Sequence, residues 1–494
     1  MKLSRRDFLF GSALFGSEIL AKKGSAAQHE QHGQHGASQP QSQPKSAPVQ
    51  PQSPYKLDKL PAPTGNVPVI TPDLPKLPWK MENNVKVFHL SADVVKREFL
   101  PANPMGPAIT VDVWGYNSSM PGPTIEVNEG DRVRIIFHNN LPEDTTVHWH
   151  GLEVPINMDG MPYISQPPVK PGETFVYEFT LHQNGTFFYH SHGAMQEMMG
   201  MIGLFIIHPQ KPYQPAVHKD FGLILQEWAV LPNNSVPNSM SMEFNWLTLN
   251  GKAAPATTPM IVKLGERVRI RMVNLGMDHH PMHIHGNQFY VTGTEGGRIP
   301  ESAWFPGNTV IVGVAQARDI EFEAIFPGDW MLHCHLPHHM MNNMISMVGP
   351  MAHIGKGMHT GMGMAEGMGI VREGHALAEN LGPSMGRGMG LGSTREQATS
   401  HAVGQHSSHG NDQEWKKRVP GYPQDDLMMS MFMDKEVAKP ETNGLAPGWS
   451  ATLQGMMSIV RVLPPDRYEE VMTAIATGYI EQPQGQPANH HSGH

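Results

Sequence analysis

Met331-Leu-His-Cys-His-Leu-Pro-His-His-Met-Met-Asn-Asn-Met344 contains the only cysteine among 494 residues. The run from Asp329 to His335 follows a Pro327-Gly328 turn and reads as a strand, in which successive side chains point to opposite faces. His333 and His335 then face one way and Cys334 the other. One thiolate with imidazoles and a thioether is the ligand set of a blue-copper electron-transfer centre: two His, one Cys and a weak axial Met. His339 and Met344, five and ten residues beyond Cys334, are placed to curl back and complete it. One imidazole is still missing, and the two outward-facing ones need a metal of their own.

His280-Pro-Met-His283-Ile-His285-Gly supplies both. Read as a strand, it sets His283 and His285 on one face, while His280 at its entrance is free to reach the thiolate. Two further pairs, His148-Trp-His150-Gly and His190-Ser-His192-Gly, bring the set to four His-x-His strands and eight imidazoles. Imidazole suits copper, and eight neutral ligands can hold three ions. A single His-x-His is most often an accident of surface or core. A zinc site is the other reading of a Cys between two His, but structural zinc usually wants several thiolates and this chain has one.

These four motifs, in this order, resemble those of the multicopper oxidases, over roughly residues 80 to 355. The resemblance implies four coppers per chain. It assigns the type 1 copper to His280, Cys334, His339 and Met344, and the type 2 copper to His148 and His283. The type 3 pair takes His150, His190, His192, His285, His333 and His335. An acid shortly after the first motif serves the cluster in related oxidases, and Asp159 in Asn157-Met-Asp-Gly160 occupies that place. An aspartate before glycine is equally a turn residue. Where some relatives carry an acid just after the type 1 histidine, this chain has Met340.

The flanking pattern is all-β. Pro121 to Asp131 followed by Arg132-Val-Arg-Ile-Ile-Phe137 alternates around a Glu-Gly-Asp turn, and Pro259 to Arg271 repeats it turn for turn. Short strands at this spacing suggest a sandwich or Greek-key barrel. The resemblance makes these two cupredoxin-like domains, 79–210 and 211–355. Superposing the copies places His148 and His150 on His283 and His285, and His190 and His192 on His333 and His335. The thiolate-site positions His280, Cys334, His339 and Met344 then fall on Thr145, Ser191, Gln196 and Met201; only the Met survives, so the first copy keeps its share of the histidine cluster and has lost its own type 1 copper.

Residues 1–27 open with Ser4-Arg-Arg-Asp-Phe-Leu9 and end at Ser25-Ala-Ala27, the pattern of a twin-arginine export signal. Its apolar run is too short and interrupted to span a membrane well, and no other stretch approaches the length needed. The mature chain is therefore expected outside the cytoplasmic membrane, in the periplasm or beyond. Residues 28–78 are rich in His, Gln, Pro and Ser and read as a linker. Net charge is −9 with 16% charged residues, and no basic patch of nucleic-acid type stands out.

The chain carries 35 Met and 29 His, more than a core requires. Residues 356–412 hold Met358, Met362, Met364, Met368, Met385 and Met389 among glycines, and thioethers select Cu(I). A copper-collecting segment and flexible packing material are both open readings. Residues 413–494 show helical spacing at Leu453–Val462 and again at Asp466–Ile475, which predicts short helices.

Only a short interval separates His192 from His280, so the chain looks like a two-domain oxidase similar to the small bacterial laccases. These place the trinuclear cluster between the first domain of one subunit and the second of its neighbour, which predicts a homotrimer; a monomer is the runner-up. The expected activity is oxidation of Cu(I) or phenols coupled to four-electron reduction of dioxygen, in copper tolerance. The alternatives are a copper-storage protein and a laccase with no such role. A copper nitrite reductase would need its thiolate in the first domain, where Ser191 stands.

Overall fold

The computed structural model describes Leu57 and residues 60–103, 107–193, 195–230, 234–239, 242, 244–342 and 432–481. In the first half the strands are β1 (Trp79–Glu82), β2 (Val85–Leu100), β3 (Ile109–Tyr116), β4 (Ile125–Asn128), β5 (Arg132–Asn139), β6 (Val147–His150), β7 (Thr174–Thr180), β8 (Gly185–Ser191) and β9 (Ile202–His208). One sheet runs β1-β2-β5-β7, with β3 added to β2, and the other β4-β9-β8-β6. In β5, Val133, Ile135 and Phe137 are buried while Arg132 is exposed, the period-two pattern of a strand with one covered face. Those side chains meet Phe88, Trp149, Tyr177 and Phe205 in one core.

The second half repeats the plan with β10 (Lys219–Trp228), β11 (Trp246–Leu249), β12 (Met260–Lys263), β13 (Arg267–Asn274), β14 (His280–Ile284), β15 (Phe289–Thr294), β16 (Gly297–Arg298), β17 (Phe305–Gly307), β18 (Thr309–Val312), β19 (Gln316–Glu323), β20 (Gly328–Cys334) and β21 (Met457–Leu463). Its sheets run β11-β10-β13-β19-β15-β16, with β17 on β15, and β12-β21-β20-β14-β18. The described residues are thus all-β in plan, two pairs of sheets built to the same design, with one helix at the end. The Glu-Gly-Asp turn read from the sequence is present, with Gly130 at φ 88°, and Gly265 at φ 93° holds the matching place. Within the chain the halves meet through buried Phe188, Leu204 and Ile206 against Ile224, Val273 and Ala317. Arg271 also donates to the Thr186 hydroxyl at 2.7 Å across this contact.

Two expectations are corrected. Leu453–Val462 is not helical: Met457–Leu463 is β21, a strand between β12 and β20 with all seven residues buried. Burial on both faces erases the alternation that would have marked it, and a continuous apolar run does not distinguish strand from helix. The second helix is present as α1 (Pro465–Thr477), ended by Gly478 at φ 68°. The described end of the expected linker, from residue 60 to 78, is packed rather than free: Val69 is fully buried and its amide donates to Glu126 at 2.9 Å. The export signal, the rest of the linker and the Met-rich stretch 356–412 lie outside the described residues. Among those described, no helix is long and apolar enough to cross a membrane.

Candidate metal centre

Three groups of predicted ligands come together. In the first, His280 begins β14, Cys334 ends β20, and His339 sits in the short turn Pro337–Met340. All three are completely buried. Cys334 Sγ lies 3.4 Å from His339 Nδ1 and 3.8 Å from His280 Nδ1, and the two imidazole nitrogens are 3.2 Å apart. Pairing of Met282 with Cys334 across β14 and β20 fixes this arrangement.

Glu227 of β10, fully buried, faces His280 Nε2 at 3.1 Å and also accepts the amides of Met277 and Asp278. A carboxylate on one ring nitrogen leaves the other free for a metal and fixes the ring's orientation. Burial pushes the Cys334 thiol up to about 12, and the charges of Glu227 and Asp278 act in the same direction. The thiol therefore holds its proton until a cation displaces it. His339 beside Asp278 holds that carboxyl below its usual range, with Asp278 Oδ2 3.5 Å from His339 Nε2.

The second group is His148, His150, His190 and His192. The first three offer nitrogens within 4.8 Å of one another, and the His148 and His192 rings are 5.5 Å apart. His148 pairs with His190 across β6 and β8. Asp159 enters through its backbone: His148 Nδ1 donates to the Asp159 carbonyl at 2.7 Å, and its carboxylate stands 3.5 Å from the same nitrogen. Gly160, at φ 88°, lets that turn lie against Val147. His190 Nδ1 donates to the Ser191 carbonyl at 2.7 Å. Burial lowers His150 to about 4, with His190 and His148 adding to the effect, so this ring is neutral and able to bind a cation.

The third group, His283, His285, His333 and His335, has the same plan. His283 pairs with His333 across β14 and β20, and His285 Nε2 lies 3.0 Å from His333 Nε2. His283 Nδ1 donates to the Asn308 carbonyl at 2.6 Å, as His148 does to Asp159. Burial lowers both His285 and His333. His285 and His335 are exposed, and a pocket of about 550 Å³ is lined by His283, Asn287 and Asn308. Among the described residues no histidine ring contact joins the second group to the third.

The donor sets fit copper: a thiolate with two imidazoles in the first group and imidazoles in the second, with the imidazoles of the third held ring to ring. Met344 lies outside the described residues. Of the thiolate-site positions traced to the first half, Thr145, Ser191 and Gln196 satisfy one another: the Thr145 hydroxyl is 2.9 Å from Ser191 Oγ and 2.7 Å from Gln196 Oε1, and Ser191 also bonds Gln196. Sequence reasoning missed Glu227, Asp278, the Asn308 carbonyl and Glu197, whose Oε1 is 3.2 Å from His190 Nδ1. Only Glu227 left a signal, as a charge in the apolar run Leu223-Ile-Leu-Gln-Glu-Trp228.

Two family models, both described as multicopper oxidase, match residues 102–212 and 230–349. Copper resistance protein A of Escherichia coli is 35% identical over 134 residues, covering 27% of this chain and 22% of that protein. Laccase-1 of Cryptococcus neoformans is 44% identical over 107 residues, 21% of this chain and 17% of that protein. The matches thus span about a fifth of these relatives' length. A blue copper oxidase structure from Nitrosomonas europaea aligns at 29% identity with a TM-score of 0.47, over 52% of this chain and 81% of that one.

Proposed function

The chain belongs to the multicopper oxidase family, and from that premise we propose that it couples one-electron oxidation of a small donor to four-electron reduction of dioxygen to water. Copper held by these groups would accept single electrons beside Cys334 and deliver four of them to dioxygen at the histidine groups. The observation that carries this reading is that Cys334 and His333 are consecutive residues serving different groups. One peptide joins them, and His333 Nδ1 also donates to the Cys334 carbonyl at 2.9 Å. Glu227 and the Asn308 carbonyl orient the ligand rings, and Asp159, partly exposed beside His148, is placed to bring protons to the second group.

The second and third groups make one site only if they meet, and the exposed rings of His285 and His335 leave one half of it open. We assign its completion to a second copy of the chain, head to tail around a ring of three, with one type 2 and two type 3 coppers between neighbours. Together with the type 1 ion this is four coppers per chain. Export by the twin-arginine route places the enzyme outside the cytoplasmic membrane.

For the donor, the carboxylate of half-buried Asp278 stands 3.5 Å from the ring of the buried His339, and exposed Met277 directly precedes it in the chain, a soft thioether beside a carboxylate. That pairing favours Cu(I) and a role in copper tolerance, with phenols as further donors. Oxygen uptake by the copper-loaded protein with Cu(I) and with a phenol tests the reading. Uptake with either donor supports an oxidase and the ratio ranks the donors; copper binding without uptake makes the chain a storage protein.

A further inference from the structure

We propose that Met456, and not Met344, is the axial thioether ligand of the Cys334 copper, so that the last ligand arrives on a strand far downstream of the other three. This deepens the copper reading above and rests on it. The template is the first half, where the residues standing in for the ligands are all described.

There Met201 directly precedes β9, and its carbonyl accepts the Ser191 amide at 3.2 Å. In the second half the Cys334 amide donates to the Met456 carbonyl at 3.0 Å, and Met456 directly precedes β21. The registers agree throughout. His190 lies opposite Ile202 as His333 lies opposite Met457, and Ile125 lies opposite Phe205 as Met260 lies opposite Val460. The sequences agree too: Gly200-Met-Ile-Gly-Leu-Phe-Ile-Ile-His-Pro209 against Gly455-Met-Met-Ser-Ile-Val-Arg-Val-Leu-Pro464. Ser191 corresponds to Cys334, so Met201 corresponds to Met456.

Met456 is also held between two of the other predicted ligands. Its amide donates to the carbonyl of His339 at 3.0 Å while its carbonyl binds the Cys334 amide, so its backbone bridges two ligands. Its side chain is fully buried in the cluster that contains Cys334 and Met282, whereas Met457 packs in another with Leu453 and Ile459. Gly455, at φ 64°, makes the approach possible: a Cβ there would stand 2.2 Å from the His339 carbonyl oxygen. The Gly455 amide donates to Asn342 Oδ1 at 2.9 Å across 113 positions of sequence, and Asn342 Nδ2 donates to the Ala254 carbonyl at 2.7 Å. The two ends of the intervening stretch are therefore fastened together beside the thiolate.

The test uses the full-length, copper-loaded protein and its Met456→Leu and Met344→Leu variants, read by visible absorption, electron paramagnetic resonance and the type 1 reduction potential. Loss of an axial thioether raises that potential and shifts the blue band. The inference expects both changes in Met456→Leu and neither in Met344→Leu. Shifts confined to Met344→Leu overturn it while leaving the copper reading intact. A colourless parent protein sinks the copper reading, and this inference with it. If Met456→Leu does not fold, Met344→Leu still decides: an unaltered spectrum and potential support Met456, and altered ones overturn it.

Discussion

Cys334 and His333 share a peptide bond but belong to different groups: Cys334 Sγ is 3.4 Å from His339 Nδ1, while His333 Nε2 is 3.0 Å from His285 Nε2. Alternation along β20 produces this separation without any special loop. Cys334→Ser should therefore remove the blue absorption and donor oxidation while the histidine groups still take up copper. Metal analysis with paramagnetic resonance checks this; loss of all copper from a folded variant would mean the groups are not separable.

If neighbouring chains share the histidine cluster, two inactive variants should complement each other. One carries His148→Ala and His190→Ala, the other His285→Ala and His335→Ala. In a mixed ring, an intact first half meets an intact second half at some interfaces, so co-expression restores a fraction of the oxygen uptake. A monomer gives none. The mass of the assembly in solution supplies the independent check.

Gly160→Ala should be far more damaging than Gly172→Ala. Both glycines have positive φ, 88° and 79°, so each alanine costs about 1–2 kcal/mol of backbone strain. At Gly172 a Cβ meets nothing within 4 Å, but at Gly160 it falls 1.9 Å from the Val147 carbonyl and 2.9 Å from His148 Cα. Denaturant unfolding should show a larger loss for Gly160→Ala, accompanied by weaker copper binding at the second group.

Acid should destabilise the first half through Glu126. Burial alone would raise this carboxyl, but hydrogen bonds from His208, Lys76 and the Val69 amide outweigh it and hold the group at about 2. Its unfolded value is about 4.3. Because the folded value is the lower, the stabilisation is fully present above about 4.3 and is lost as pH falls towards about 2. Glu126→Gln should be less stable at neutral pH and should lose less further stability between pH about 5 and about 2. Parallel curves for the two proteins would remove Glu126 from the account.

Much of this was legible in the sequence because strand alternation needs only local spacing. His148, His150, His190, His192, His283, His285, His333 and His335 sort onto faces at period two, and His280 and His339 lie near enough to Cys334 in the chain to be picked out. What was not legible depends on pairing over long separations. Glu227 reaches His280 from a strand 53 residues away. Met456 was hidden further, because β21 is buried on both faces and lies beyond a long Met-rich stretch that already offers a thioether at the expected offset.

The most direct test of the central claim is a single titration of copper-loaded protein: copper per chain, blue absorption, and dioxygen consumed per equivalent of donor. The account predicts four coppers per chain, an intense blue band that a reductant bleaches, and one dioxygen consumed for every four donor electrons. A protein holding one copper per chain, or lacking the blue band, would contradict it.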